Sequence, residues 1–171
     1  NGGAKAIRGD IVLDRSAFSV PATDPGEFDG EPLRPYNARP DALLVNFKSV
    51  VMTFTPDIAN ARAIVRYEPP LAGVQISETV PLLRTGRCGD WRSELRAGVD
   101  NPNRIDFLGS YSSACGERTW PMAYAEPASF AARALEGSWR HLGGLMTGAV
   151  RDATPQELAA LRRSGTLSGE R

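Results

Sequence analysis

Apolar and polar positions alternate along the first two thirds of the chain and change to spacings of three and four in the last third. Ile11, Val12 and Leu13, set between Asp10 and Asp14, predict a short strand. Leu43 to Thr55 is the strongest strand signal. Val45, Phe47 and Val51 fall on one face, Asn46 and Lys48 on the other, and Val50, Met52 and Phe54 then make the second face apolar too. This predicts a central strand covered on both sides. For 57–67 two readings are open, a helix begun at Pro56 or a turn followed by a strand from Arg62 to Tyr67. The β-branched pair Ile64-Val65 near the end favours the strand, paired as a hairpin with 43–55. Further strands are predicted over 74–83, where Pro81 points to an edge or a break, over 104–111, and over 119–124, which Pro121 interrupts.

From Pro127 to Met146 the residues Phe130, Ala131, Ala134, Leu135, Ser138, Trp139, Leu142, Leu145 and Met146 form one helical stripe, weakened in its second half by Gly137 and Gly143-Gly144. Thr154-Pro155-Gln156-Glu157 has the cap, the first-position proline and the reciprocal acid of a helix start, and Gly165 is the expected stop. Strands followed by helices predict an α+β fold: a mostly antiparallel sheet over residues ~10–124, two C-terminal helices packed on one face, and one disulfide. Residues 1–171 read as a single domain with frayed ends at 1–9 and 166–171. Residues 21–41, punctuated by Pro21, Pro25, Gly26, Gly30, Pro32, Pro35 and Pro40, form a long irregular loop, either a wrap over the core or a functional segment.

Composition changes this picture little. The 171 residues carry 20 basic and 20 acidic groups, so the formal net charge is zero. The densest arginine stretch, Arg84 to Arg118, is interleaved with acids, which argues against a nucleic-acid backbone as partner. No apolar run approaches a membrane span. Asn1-Gly2-Gly3 has neither the basic nor the apolar region of a signal peptide, as a trimmed end would not.

Cys88 and Cys115 sit in matching settings, Cys-Gly-Asp and Cys-Gly-Glu. A bridge between them closes a loop worth roughly 3–4 kcal/mol on the chain-entropy model. It also places the protein in an oxidising space: periplasmic, secreted or surface-anchored. Buried free thiols are the alternative. Two cysteines and one histidine are too few for a closed zinc site, and no metal or cofactor is expected.

Candidate chemistry is sparse. His141 is the one imidazole, beside Arg140 and off the apolar stripe. With Asp90 and Glu94 it makes the weak catalytic set of a small carboxylate-based hydrolase or lyase. Asp24, Glu27, Asp29 and Glu31 crowd one loop without the spacing of a calcium loop. No phosphate loop, G-x-S-x-G elbow or H-E-x-x-H occurs. Trp91 and Trp120 each follow a Cys-Gly-acid turn, where they either cover the bridge as core or flank a groove. With Arg92 and Arg118, and with Phe28 and Tyr36 from the long loop, they are the expected contact surface for another protein. These features predict a non-catalytic binding domain of the bacterial envelope or extracellular space: an accessory subunit, inhibitor or immunity-type protein. The alternatives are the carboxylate enzyme and a structural coat or filament subunit. Oligomeric state is not encoded legibly.

Overall fold

The computed structural model describes residues 3–21 and 24–164. The fold is mixed α+β and mostly strand, as the sequence pattern predicts. Two short strands open it, β1 (Ala6–Ile7) and β2 (Ile11–Leu13), and the proline-rich wrap follows with a 3-10 turn at Pro35–Asn37. Strands β3 (Ser49–Asp57) and β4 (Arg62–Glu68) form the expected hairpin, Phe54 opposite Val65. Next come β5 (Gln75–Ile76), β6 (Thr79–Leu83), a four-residue helix α1 (Trp91–Glu94), β7 (Arg96–Gly98), β8 (Arg104–Leu108), β9 (Tyr111–Ser112) and β10 (Arg118–Ala123). The chain continues with α2 (Phe130–His141), β11 (Leu145–Met146), β12 (Val150–Asp152) and α3 (Pro155–Arg163).

The main sheet has the order β10-β3-β4-β6-β9 and is antiparallel except for the β6–β9 pair. Pro121 lies on β10, an edge of this sheet, where the missing N–H is tolerated. One face is core: Val50, Met52 and Phe54 of β3, Ala63 and Val65 of β4, Val80 and Leu82 of β6 and Met122 of β10 pack with Phe130 and Ala134 of α2. The opposite face is not covered as the sequence predicts. Val51, Thr53 and Thr55 are half-buried, and the first two line an open depression with Arg66, Tyr67, Glu68 and Glu117.

Other elements depart from the sequence pattern as well. Strand β3 starts at Ser49 and not at residue 43, because Asn46, Phe47 and Lys48 turn through left-handed backbone at φ 42°, 50° and 50°. Helix α2 stops at His141, five residues early. Gly143 takes φ 81° and donates to the Arg140 carbonyl, while Gly144 donates to that of Trp139, a glycine-terminated end. The freed residues become β11 and β12, which pair in parallel with β1 and β2. Strands therefore stand between the two long helices, and the beginning of the chain, expected to fray, is held from Lys5 to Leu13 by residues 145–153. A small second cluster of Leu13, Ala131 and Val150 seals this junction. Helix α3 has the predicted capping box of Thr154 and Glu157, but it buries none of its residues, so of the two C-terminal helices only α2 contributes to the main core. Gly165 and residues 166–171, expected as its stop and a frayed end, lie outside the described residues.

Candidate functional site

The two Cys-Gly-acid turns meet. Cys88 and Cys115 form a disulfide with a Cα–Cα distance of 4.6 Å. Asp90 accepts the Ser93 N–H and starts α1, which places Trp91 and Arg92 beside the bridge. Trp91 lies edge-on to Phe54 and Tyr111, both centroids 5.5 Å away, and to Trp120 of β10 at 5.7 Å. The Arg92 guanidinium lies 5.4 Å from the Trp91 ring and 5.9 Å from that of Trp120, and its Nη2 donates to the Thr119 carbonyl. Both tryptophans pack on the main core, half-buried, so their inner edges are core and Arg92 covers the outer ones. Arg118 is exposed on the same strand as Trp120.

Phe28 and Tyr36 belong to a different group. Phe28 is 87% exposed on the wrap. The Tyr36 hydroxyl donates to Asp29, which also accepts from Asn37 Nδ2 at 2.8 Å, and Arg34 Nη1 reaches the Tyr36 oxygen at 3.1 Å. The hydrogen bond from Tyr36 holds the Asp29 carboxyl below its ordinary range and pushes the phenol up.

The carboxylate–imidazole set does not assemble. His141 ends α2 and lines an open cavity of about 640 Å³ with Arg62, Arg66, Glu68, Glu78 and Thr79. Asp90 and Glu94 are not among its lining residues. They stand on and before α1, where Asp90 serves as the helix cap. Among the described residues no group of three or more His, Cys, Asp or Glu side chains could hold a metal ion.

A cluster not foreseen from sequence sits under the wrap. Asp41 Oδ2 receives both Lys48 Nζ at 2.9 Å and Arg15 Nη1 at 2.7 Å, and Arg15 Nε reaches Asp152 at 2.8 Å. Burial pushes the Asp41 carboxyl up. The hydrogen bonds from Lys48 and the Leu43 N–H and the charges of Arg15 and Lys48 outweigh it and hold the group below its ordinary range. The one available signal was Lys48 itself, a lysine within a run that otherwise reads as strand in an arginine-rich chain.

The family model of the D-Ala-D-Ala carboxypeptidase 3 (S13) peptidases matches residues 1–164. The chain belongs to the D-Ala-D-Ala carboxypeptidase 3 family. Among solved structures, penicillin binding protein 4 from Haemophilus influenzae shares its fold, with a TM-score of 0.55 over 89% of this chain at 19% identity. The chain spans 33% of that protein's length. The same protein complexed with a β-lactam aligns at a TM-score of 0.43, 18% identity, over 68% of this chain and 26% of that one. No curated protein sequence matches the chain significantly. Membership in a peptidase family overturns the expectation of a non-catalytic protein-binding domain, and with it the coat or filament alternative. The error has a physical source. Serine penicillin-binding enzymes carry their chemistry in S-x-x-K, S-x-N and K-T-G elements, and none of these occurs in the 171 residues of this carboxypeptidase-family chain. Its stretch of family sequence has no local catalytic motif to read. The disulfide fits a location outside the reducing cytosol, and among the described residues no helix is long and apolar enough to cross a membrane.

Proposed function

We propose that this chain is a portion of a D-Ala-D-Ala carboxypeptidase of the bacterial periplasm or cell surface, which removes the terminal D-alanine from cell-wall peptides. The match of the carboxypeptidase family model to residues 1–164 carries this reading. The reaction is an acyl transfer. A serine attacks the carbonyl of the penultimate D-alanine, the terminal D-alanine leaves as the amine, and water releases the acyl group from the serine. The serine–lysine pair for this step would lie outside these 171 residues, which lack its motif. The disulfide supports the compartment, since the substrate class lies in an oxidising space.

In this reading the Arg92–Trp91–Trp120 surface, with Arg118 beside it, is the contact the chain offers to the anionic, amide-rich wall polymer. A guanidinium stacked on indoles keeps outward N–H donors for a carboxylate. Phe28 and Tyr36 would form a second contact on the wrap.

The test is labelling by a fluorescent penicillin and D-alanine release from a peptide ending in D-Ala-D-Ala, using the longer protein that contains this chain and, beside it, the 171-residue chain alone. The longer protein is expected to be labelled and to release D-alanine, and the 171-residue chain to do neither. A longer protein inert in both assays overturns the reading, and labelling of the 171-residue chain overturns the placement of the nucleophile.

A further inference from the structure

Between the proline-rich wrap and the end of β10 lies a cavity of about 340 Å³. Pro25, Pro32 and Leu33 form one wall, and Val99, Ala123 and the ring of Tyr124 form the other. The Tyr124 hydroxyl is already committed to the Pro102 carbonyl, so it offers the cavity no free donor. The charged residues that line it are Arg39 and Lys48, both cations.

These two cations are not equivalent. Lys48 is neutralised by Asp41. Arg39 Nη2 donates to the Pro21 carbonyl, a neutral acceptor, and its Nε is buried with no hydrogen-bond partner. Asp24 and Glu27 line a neighbouring depression that Arg39 also borders, yet no carboxylate among the described residues forms an ion pair with it. A guanidinium drawn partly out of water without a counter-ion is held at a cost, and an arriving anion removes that cost. One uncompensated positive charge beside an apolar wall suits a monoanion on an uncharged apolar body. The volume is that of a small-molecule site at the low end of the usual range.

We propose that this cavity binds a small monocarboxylate, its carboxylate on Arg39 and its apolar body against Leu33, Val99 and Tyr124. Such a group is supplied either by a short fatty acid or by the C-terminus of a peptide with small apolar side chains. The inference concerns side chains of this chain alone and stands whether or not the carboxypeptidase reading holds.

Isothermal titration with octanoate and with N-acetyl-D-Ala-D-Ala, each against its neutral amide, tests it. At least one acid is expected to bind at sub-millimolar concentration and its amide at least ~10-fold more weakly, the effect of losing a charge-assisted contact. Arg39→Met should weaken the acid by a similar factor. Ala125→Trp, on the exposed rim of the cavity, should block it without touching the core, and it carries the test if Arg39→Met fails to fold by circular dichroism. The acid that binds names the source, lipid or peptide. Equal binding of acid and amide, acid affinity unchanged in whichever variant folds, or no heat from either acid at millimolar concentration overturns the proposal.

Discussion

Lys48 Nζ stands 2.9 Å from Asp41 Oδ2 with both side chains about nine-tenths buried, 9% and 10% exposed. The pair closes a turn of three consecutive left-handed residues, a conformation asparagine tolerates at position 46 but costly for Phe47 and Lys48. Asn46 Nδ2 bonds the Ser49 carbonyl, Ser49 Oγ bonds that of Phe47, and the ion pair fixes the third corner. Asp41→Ala leaves Lys48 buried without its partner, while Arg15 keeps Asp152. We expect a loss of about 3–5 kcal/mol in urea unfolding at neutral pH. The double change Asp41→Leu with Lys48→Met should recover most of it, because no orphaned charge remains. A double variant as unstable as the single one would show that the turn depends on the ion pair itself.

Arg151 holds β2, β12 and α3 together from one guanidinium. Its Nε reaches Asp10 at 2.6 Å and its Nη2 reaches Glu157 at 2.6 Å. Glu157 also accepts the Thr154 N–H in the capping box. The Arg151 hydrogen bonds, with those from Thr154, lower the Glu157 carboxyl from 4.5 to about 2. A folded-state value below the unfolded one means that the carboxylate stabilises the fold fully above pH ~4.5. That contribution fades as pH falls through about 2. Glu157→Gln should therefore melt lower than the parent at pH 7, by an amount that shrinks below pH ~4.5 and vanishes below about 2. A difference independent of pH would mean that the cap geometry acts without the charge.

Trp91 and Arg92 of the disulfide face separate core from contact surface by experiment. Trp91 touches Phe54, Tyr111 and Trp120 but is half-buried, so Trp91→Ala should cost about 2–3 kcal/mol in denaturant unfolding, below the value for fully buried aromatics. Arg92 only covers their outer edges, and Arg92→Ala should cost under ~1 kcal/mol. If the two losses were alike, Trp91 would not be the keystone of this corner.

How far the sequence could be read follows from how local each cause is. The Thr154–Glu157 box, the β3–β4 hairpin and the Cys88–Cys115 bridge were legible, because caps, alternation and matched cysteine settings lie within short stretches. The left-handed turn at Asn46–Lys48 was not. It is held by Asp41, and its apolar neighbours Val45 and Phe47 mimic strand alternation. The pairing of β1 and β2 with β11 and β12 was hidden too, since its partners lie some 139 residues apart in sequence and each strand is too short to signal itself. The gathering of Trp91, Arg92 and Trp120 beside the bridge was foreseeable from the matched cysteine settings. The separation of His141 from Asp90 and Glu94 was not, because only the topology decides which edge each helix end reaches. The family chemistry was illegible for a simpler reason: its serine and lysine motifs do not occur in these residues.

Gly137 shows how a local rule misleads. In mid-helix it reads as a weakness of α2 that alanine would repair by roughly 1 kcal/mol. The structure gives it another role. A Cβ at 137 would come within 2.2 Å of the Pro70 carbonyl oxygen and 2.9 Å of the Ala72 N. The helix lies against the backbone after β4, and Arg133, one turn earlier, ties the same segment: its Nη1 donates to the Ala72 carbonyl at 3.1 Å, and its own carbonyl receives the Ala72 N–H at 2.9 Å. Both neighbours at Gly137 are main chain, which cannot swing aside as a flexible side chain would. The helix must retreat or the segment must shift, and either loosens Phe130 and Ala134 from the core. We expect Gly137→Ala to lower the melting temperature in place of raising it, and Gly137→Val to lower it further. If alanine raised the melting temperature, helix propensity would outweigh the contact, and the close approach of α2 to Pro70 would not be a constraint on the fold.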